Sequence, residues 1–119
     1  MLLLYDKNGV ATAYLDDGGE HVFLVSGKAV AYLRNDSVYA YSGAYLGLIQ
    51  NGWLWDPTGR AGLCSDFSVG GPQKPRKKTF PPGGLKQAVP AKAARQPRPS
   101  RPARKNEWSE RSGADYFRR

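Results

Sequence analysis

The residues able to do chemistry in this 119-residue chain are few and scattered. His21 is the one histidine and Cys64 the one cysteine. Structural zinc takes four nitrogen or sulfur ligands, so these two alone make no such centre. His21 stands before Val22 in a predicted strand and reads as a surface strand residue rather than a base or a ligand. Cys64 has no histidine near it in sequence to activate a thiolate, and the alternation around it points to burial. Asp16-Asp17 run into Gly18-Gly19, a turn composition; a calcium loop needs more oxygen ligands at alternating positions. Gly70-Gly71 and Gly83-Gly84 lack the lysine–hydroxyl pair and the helix of a phosphate-binding loop. No catalytic, cofactor-binding or metal-ligating residue is therefore assigned. The chain reads as non-enzymatic, with no cofactor.

Binding chemistry is better represented. Residues 1–70 carry four basic and seven acidic side chains, a net of −3; residues 71–119 carry fourteen basic and three acidic, a net of +11. Two clusters stand out as candidate polyanion-binding residues: Lys74, Arg76, Lys77 and Lys78, then Arg98, Arg101, Arg104 and Lys105. Such an arm can follow nucleic-acid phosphates without reading bases, with affinity that falls steeply with salt. No helix-turn-helix, zinc finger or RNA-binding sheet accompanies it, and the apolar stripe of an amphipathic membrane anchor is missing. The same charge also suits a tail that wraps its own acidic domain, or a solvated tail. Residues 71–105 hold eight prolines and, apart from Leu85, no aliphatic residue larger than valine. Proline excludes helix and central strand there, so an extended or disordered segment is expected. The P-x-x-P spacing within Pro97-Arg98-Pro99-Ser100-Arg101-Pro102 reads as part of that linker.

What must position these groups is a repeat in the first half. Gly9, Gly27, Gly43 and Gly59 anchor four units. Five residues before each stands an aliphatic residue (Leu4, Val22, Val38, Leu54), and four before, an aromatic one (Tyr5, Phe23, Tyr39, Trp55). Four after the first three stand Ala13, Ala31 and Gly47, all small; the fourth unit fits if one residue is lost after its turn. Asn8-Gly9, Ser26-Gly27, Ser42-Gly43 and Thr58-Gly59 are turn signals, flanked by strand-favouring residues. Each unit thus reads as a β-hairpin, with strands near 2–6, 10–16, 20–25, 28–34, 37–41, 44–50, 53–56 and 60–65. Because neighbouring side chains on a strand face opposite ways, the aliphatic and aromatic columns lie on different faces. One forms a core; the other packs between units or forms a rim. The column Tyr5, Phe23, Tyr39 and Trp55 is the candidate interaction surface, with Trp53, Tyr14 and Tyr32 as the alternate set; an aromatic column in a repeat is also core material. A single hairpin is unstable, so the expected fold is all-β: four hairpins around a pseudo-four-fold axis, a small closed meander. An eight-stranded meander barrel is the other geometry that removes free edges.

This pattern resembles the bacterial four-fold beta-flower domain proteins. The likeness rests on the turn glycines, Tyr5-Asp6-Lys7-Asn8-Gly9, Gly27-Lys28-Ala29-Val30-Ala31-Tyr32-Leu33 and Asn51-Gly52-Trp53. It continues through Gly70-Gly71-Pro72, Gly84-Leu85-Lys86-Gln87 and Trp108-Ser109. The family's tail resembles a run of Pro-Leu-Lys units, where this chain has Arg, Ala and Gln at many of the Leu positions. The resemblance implies a fold and no activity.

Three segments follow: a four-hairpin domain over 1–68, a basic Pro/Gly-rich tail over 69–105, and an aromatic C-terminal segment over 106–119. A core of about 65 residues is marginal alone, so a tail that packs back, or an oligomer, would help. Trp108, Tyr116 and Phe117 suggest docking onto the repeat domain, or onto a partner. One cysteine, a leading apolar run too short for a signal peptide and no stretch of about 20 apolar residues predict a reducing, cytoplasmic setting without a membrane span. The expected partner is a protein, self or other, with nucleic acid through the tail as the alternative. The repeat geometry does not decide the oligomeric state.

Overall fold

The computed structural model describes residues 1–78, 83–100, 103–111 and 113–118. Eight strands follow one another: β1 (Leu2–Tyr5), β2 (Ala11–Leu15), β3 (His21–Leu24), β4 (Ala29–Arg34), β5 (Ser37–Ala40), β6 (Tyr45–Gln50), β7 (Trp53–Trp55) and β8 (Ala61–Leu63). They form one antiparallel sheet in sequence order, β1 through β8. Tyr5 and Cys64 then exchange both backbone hydrogen bonds, at 2.7 and 2.9 Å, bringing the first strand against the end of the last. The fold is thus all-β, a nearly closed, barrel-like meander of four hairpins. It is a disc of 37 × 35 × 23 Å. No helix among the described residues is long and apolar enough to cross a membrane.

The four hairpins share one local device. In each, the turn glycine donates to the carbonyl three residues back (Gly9 to Asp6, Gly27 to Leu24, Gly43 to Ala40, Gly59 to Asp56) at 2.8–3.0 Å. Their φ angles of 82°, 102°, 94° and 93° lie where glycine carries no Cβ penalty. A register shift then falls between the aliphatic and aromatic columns in every unit: Leu4/Tyr5, Val22/Phe23, Val38/Tyr39 and Leu54/Trp55. A bulge of this kind adds twist and bends the strand, which a short sheet needs in order to return on itself. Two connections between units are also tight: Asn51 and Gly52 both have positive φ, and so does Asn35, as hairpin turns of the primed type require.

The fourth unit corrects the sequence reading. No residue is lost after its turn: Leu54 pairs with Leu63 and Trp55 with Ala61, just as Leu4 pairs with Ala13 and Tyr5 with Ala11. Leu63 simply stands where the other units have a small residue. Register follows the turn and bulge backbone, which the four units share, and not the size of the side chain at that position.

The aliphatic column faces inward. Leu4, Val22, Val38 and Leu54 are fully buried and pack with Ala13, Ala31, Leu46 and Leu63. The same core receives the far end of the chain. A short 3-10 helix, Gly113–Phe117, delivers Tyr116 and Phe117 into it, and the Tyr116 hydroxyl donates to the Leu46 carbonyl at 2.6 Å. Two glycines make the seat. A Cβ on Gly62 would lie 2.2 Å from the Tyr116 ring, and one on Gly47 would lie 2.8 Å from its hydroxyl. The return path is pinned by Ala61 donating to Glu107 and Ser109 donating to Ala61, at 2.9 and 2.7 Å.

Candidate functional site

The aromatic column lies on the outer side of the hairpins, and the basic tail lies over it. Tyr5, Phe23, Tyr39 and Trp55 are only 2–5% exposed. Each has a cation above its ring: Lys77 over Tyr5 at 5.6 Å, Lys86 over Phe23 at 4.8 Å, Arg95 over Tyr39 at 5.9 Å and Arg104 over Trp55 at 5.4 Å. The attraction is between positive charge and the negative ring face, about 0.5–1 kcal/mol at exposed sites. The residue after each cation donates its amide to a turn glycine: Lys78 to Gly9, Gln87 to Gly27, Gln96 to Gly43 and Lys105 to Gly59, at 2.8–3.0 Å.

The tail therefore carries a second repeat, of nine residues, in register with the four hairpins. The repeats read from the sequence lie in the first half and do not include it. The signal is present: Pro72, Pro81, Pro90 and Pro99 stand nine apart, and so do Lys77, Lys86, Arg95 and Arg104. Nine extended residues reach about 28 Å, a span suited to successive tips on a disc 37 × 35 Å across. The turn glycines serve this contact as well as their own turns. A Cβ on Gly9, Gly27 or Gly43 would lie 1.8–2.0 Å from the carbonyl oxygen of Arg76, Leu85 or Ala94, again nine apart.

Tail cations also meet acids on the loops of the hairpin domain. Lys92 reaches Glu20 at 2.8 Å and lies over the Tyr32 ring; Arg98 reaches Asp36 at 3.2 Å; Lys77 reaches Asp66 at 2.9 Å. The hydrogen bond from Lys92, and then its charge, hold the Glu20 carboxyl below its usual range. Lys74 donates to the Asp66 and Ser68 carbonyls, and Arg104 to Gln50.

The predicted site residues thus divide. The aromatic column is brought together with the tail rather than left as an open surface. Of the predicted polyanion-binding residues, Lys74, Lys77, Arg98 and Arg104 are engaged with the hairpin domain. Arg76, Lys78 and Lys105 are exposed, with side chains in no hydrogen bond or ion pair to a described residue. Arg101 lies outside the described residues. Lys86, Lys92 and Arg95, which sequence reasoning did not select, are part of the belt. In the alternate aromatic set, Trp53 and Tyr32 are 1% exposed; Trp53 donates to the Val69 carbonyl at 3.0 Å, and the half-buried Tyr14 stacks on Phe23.

Of the two candidate reactive residues, His21 adjoins the belt's contacts, its Nε2 3.7 Å from the Glu20 carboxylate that pairs with Lys92. His21 Nδ1 is 2.7 Å from the Tyr41 hydroxyl. Tyr41 itself is pushed up to about 12, by burial first and then by Glu20 and Asp16. Cys64 is buried, and burial pushes its thiol up to about 11, so it is a neutral thiol near pH 7 and a poor nucleophile. No group of three His, Cys, Asp or Glu residues suited to a metal occurs among the described residues.

No curated protein and no solved structure matches the chain. A family model described as 4-fold beta flower protein matches residues 3–117, hairpins, belt and plug together, and the chain belongs to that family.

Proposed function

We propose that this chain is a non-enzymatic interaction module whose partner is a protein, and whose basic tail is chiefly a structural belt. The observation that carries this is the belt's register. Four cations spaced nine apart sit over four aromatic rings, and the next amide of each nonapeptide is spent on a turn glycine. A segment tied at four points is not a free electrostatic arm. The high thiol pKa of Cys64 and the engaged His21 support the non-enzymatic part. A lone buried cysteine fits a reducing compartment such as the cytoplasm.

One observation favours the alternative, a sequence-nonspecific nucleic-acid binder: the side chains of Arg76, Lys78 and Lys105 are exposed and make no hydrogen bond or ion pair to a described residue. Salt-gradient elution from heparin and from immobilised duplex DNA separates the readings. The full chain is compared with its R76Q/K78Q/K105Q variant. A protein-interaction module elutes below physiological salt in both forms. Retention above physiological salt, lost in the variant with no change in melting temperature, would overturn the preferred reading.

A further inference from the structure

We infer that the hairpin ring accepts the tail of a second copy of this chain in place of its own, giving a tail-exchanged dimer. The inference rests on the protein-interaction reading and names the partner. Four observations support it.

Every backbone hydrogen bond that the described residues of 71–105 make goes to the ring. Besides the four glycine carbonyls, Gly84 donates to Val25 and Ala93 to Tyr41, both at 2.8 Å. Among the described residues the belt makes none to itself, so the interface is chemically the same whether the tail comes from its own chain or from another. Exchange of an identical element is a low-cost route to a dimer.

The belt is shallowly held. All described residues from 83 to 105 are exposed, and segments with few buried contacts open at far lower free energy than the core. The deep anchor is at the distal end, where Tyr116 is fully buried. A tail that has opened can therefore find a second ring and be locked there by that one side chain.

The exit point can swing. Residues up to Val69 are pinned, with Val69 donating to Asn51 and accepting from Trp53 Nε1, both at 3.0 Å. Gly70 follows with φ 71° and no atom within 4 Å of where a Cβ would stand. That makes Gly70 the natural hinge.

Beside that hinge stand two large apolar side chains in water: Phe67 is 73% exposed and Val69 63%. When two chains cross at their hinges, these residues come from both copies to the same place. The exchange would give them a partner that the single chain does not supply.

The chain's own tail competes at an effective concentration of roughly millimolar, so exchange is to be sought by refolding at comparable protein concentration. Two full-length variants make it visible. Tyr116→Ala spoils the plug and leaves the ring intact; Gly62→Leu blocks the seat and leaves the tail intact. An exchanged heterodimer contains one sound ring with one sound tail. After co-refolding, the expected result is a melting transition at the wild-type temperature that neither parent shows, together with a species of twice the 13.1 kDa chain mass. A melt equal to the sum of the separately refolded parents, with single-chain mass only, overturns the inference. Should either variant not fold, tagged and untagged wild-type chains are co-refolded and the tag captured. Untagged chain in the eluate supports exchange, and its absence sinks it. The heparin experiment reads the broader proposal independently, so the two can fail separately.

Discussion

Replacing Tyr116 and Gly62, singly and together, tests whether the C-terminal segment is part of the core or a decoration on it. Tyr116 is fully buried among Leu4, Val22, Leu54 and their neighbours. Removing a large buried ring costs about 3–5 kcal/mol, and its hydrogen bond to the Leu46 carbonyl adds about 1 kcal/mol. At about 4 °C per kcal/mol for a domain of this size, Tyr116→Ala should lower Tm by roughly 20 °C. Gly62→Ala inserts a methyl 2.2 Å from the ring, and overpacking of that kind costs about 1–3 kcal/mol. Gly62 lacks the positive φ of the turn glycines, so its penalty comes from the ring alone. Once the ring is gone the new methyl occupies vacated space. The double variant should therefore be no less stable than Tyr116→Ala, a coupling of about 1–3 kcal/mol. Urea unfolding of the four full-length proteins, followed by tryptophan fluorescence, provides the cycle. Additivity within about 0.5 kcal/mol would mean that Gly62 and Tyr116 do not share a seat, and the plug would have to be abandoned.

Two further outcomes are expected. Gly27→Ala should cost more than Gly19→Ala although both glycines have positive φ, because alanine at Gly19 meets open space while at Gly27 it meets the Leu85 carbonyl at 1.8 Å; the conformational part is about 1–2 kcal/mol at either site, and hydrogen exchange should show the Gln87 amide losing protection only in Gly27→Ala. Burial opposes ionisation of Asp56, but hydrogen bonds from Ser109, Thr58 and Arg60 outweigh it and hold the carboxyl below its usual range. The unfolded chain then takes up the proton first, near pH 4, so the contribution is present above that pH and is lost as pH falls through the lower folded value. Unfolding free energies measured from pH 6 to pH 3 should fall less steeply in Asp56→Asn than in wild type; parallel curves would refute the assignment.

The hairpins were legible because their signals are local. A turn glycine, a flanking strand of β-branched and aromatic residues and period-two alternation act within a few residues. Strands expected near 2–6 and 28–34 accordingly occur at Leu2–Tyr5 and Ala29–Arg34. The bulge between Leu4 and Tyr5, repeated in each unit, had no such signal. It depends on how the sheet must bend to bring Tyr5 to Cys64. It also explains why the fourth unit keeps its register with Leu63 where the other units have a small residue.

The tail shows the same division. Composition alone established that residues 71–105 are basic, proline-punctuated and incapable of helix or central strand. What those charges face was decided in three dimensions. A cation–ring contact such as Arg104 over Trp55 joins residues 49 positions apart in the chain, and neither residue's neighbours announce it. The nine-residue period acquires meaning only against four turn carbonyls set around a ring. Likewise Trp108, Tyr116 and Phe117 advertised docking by their type. Yet it took two strands that do not pair, β6 and β8, each turning a glycine (Gly47 and Gly62) to the same side chain, to define where Tyr116 goes. Local turn and strand preferences are set by each residue's own backbone and its immediate neighbours, so the sequence alone determined the hairpins. The belt and the plug are contacts between segments distant in the chain, and only closure of the ring placed their partners within reach.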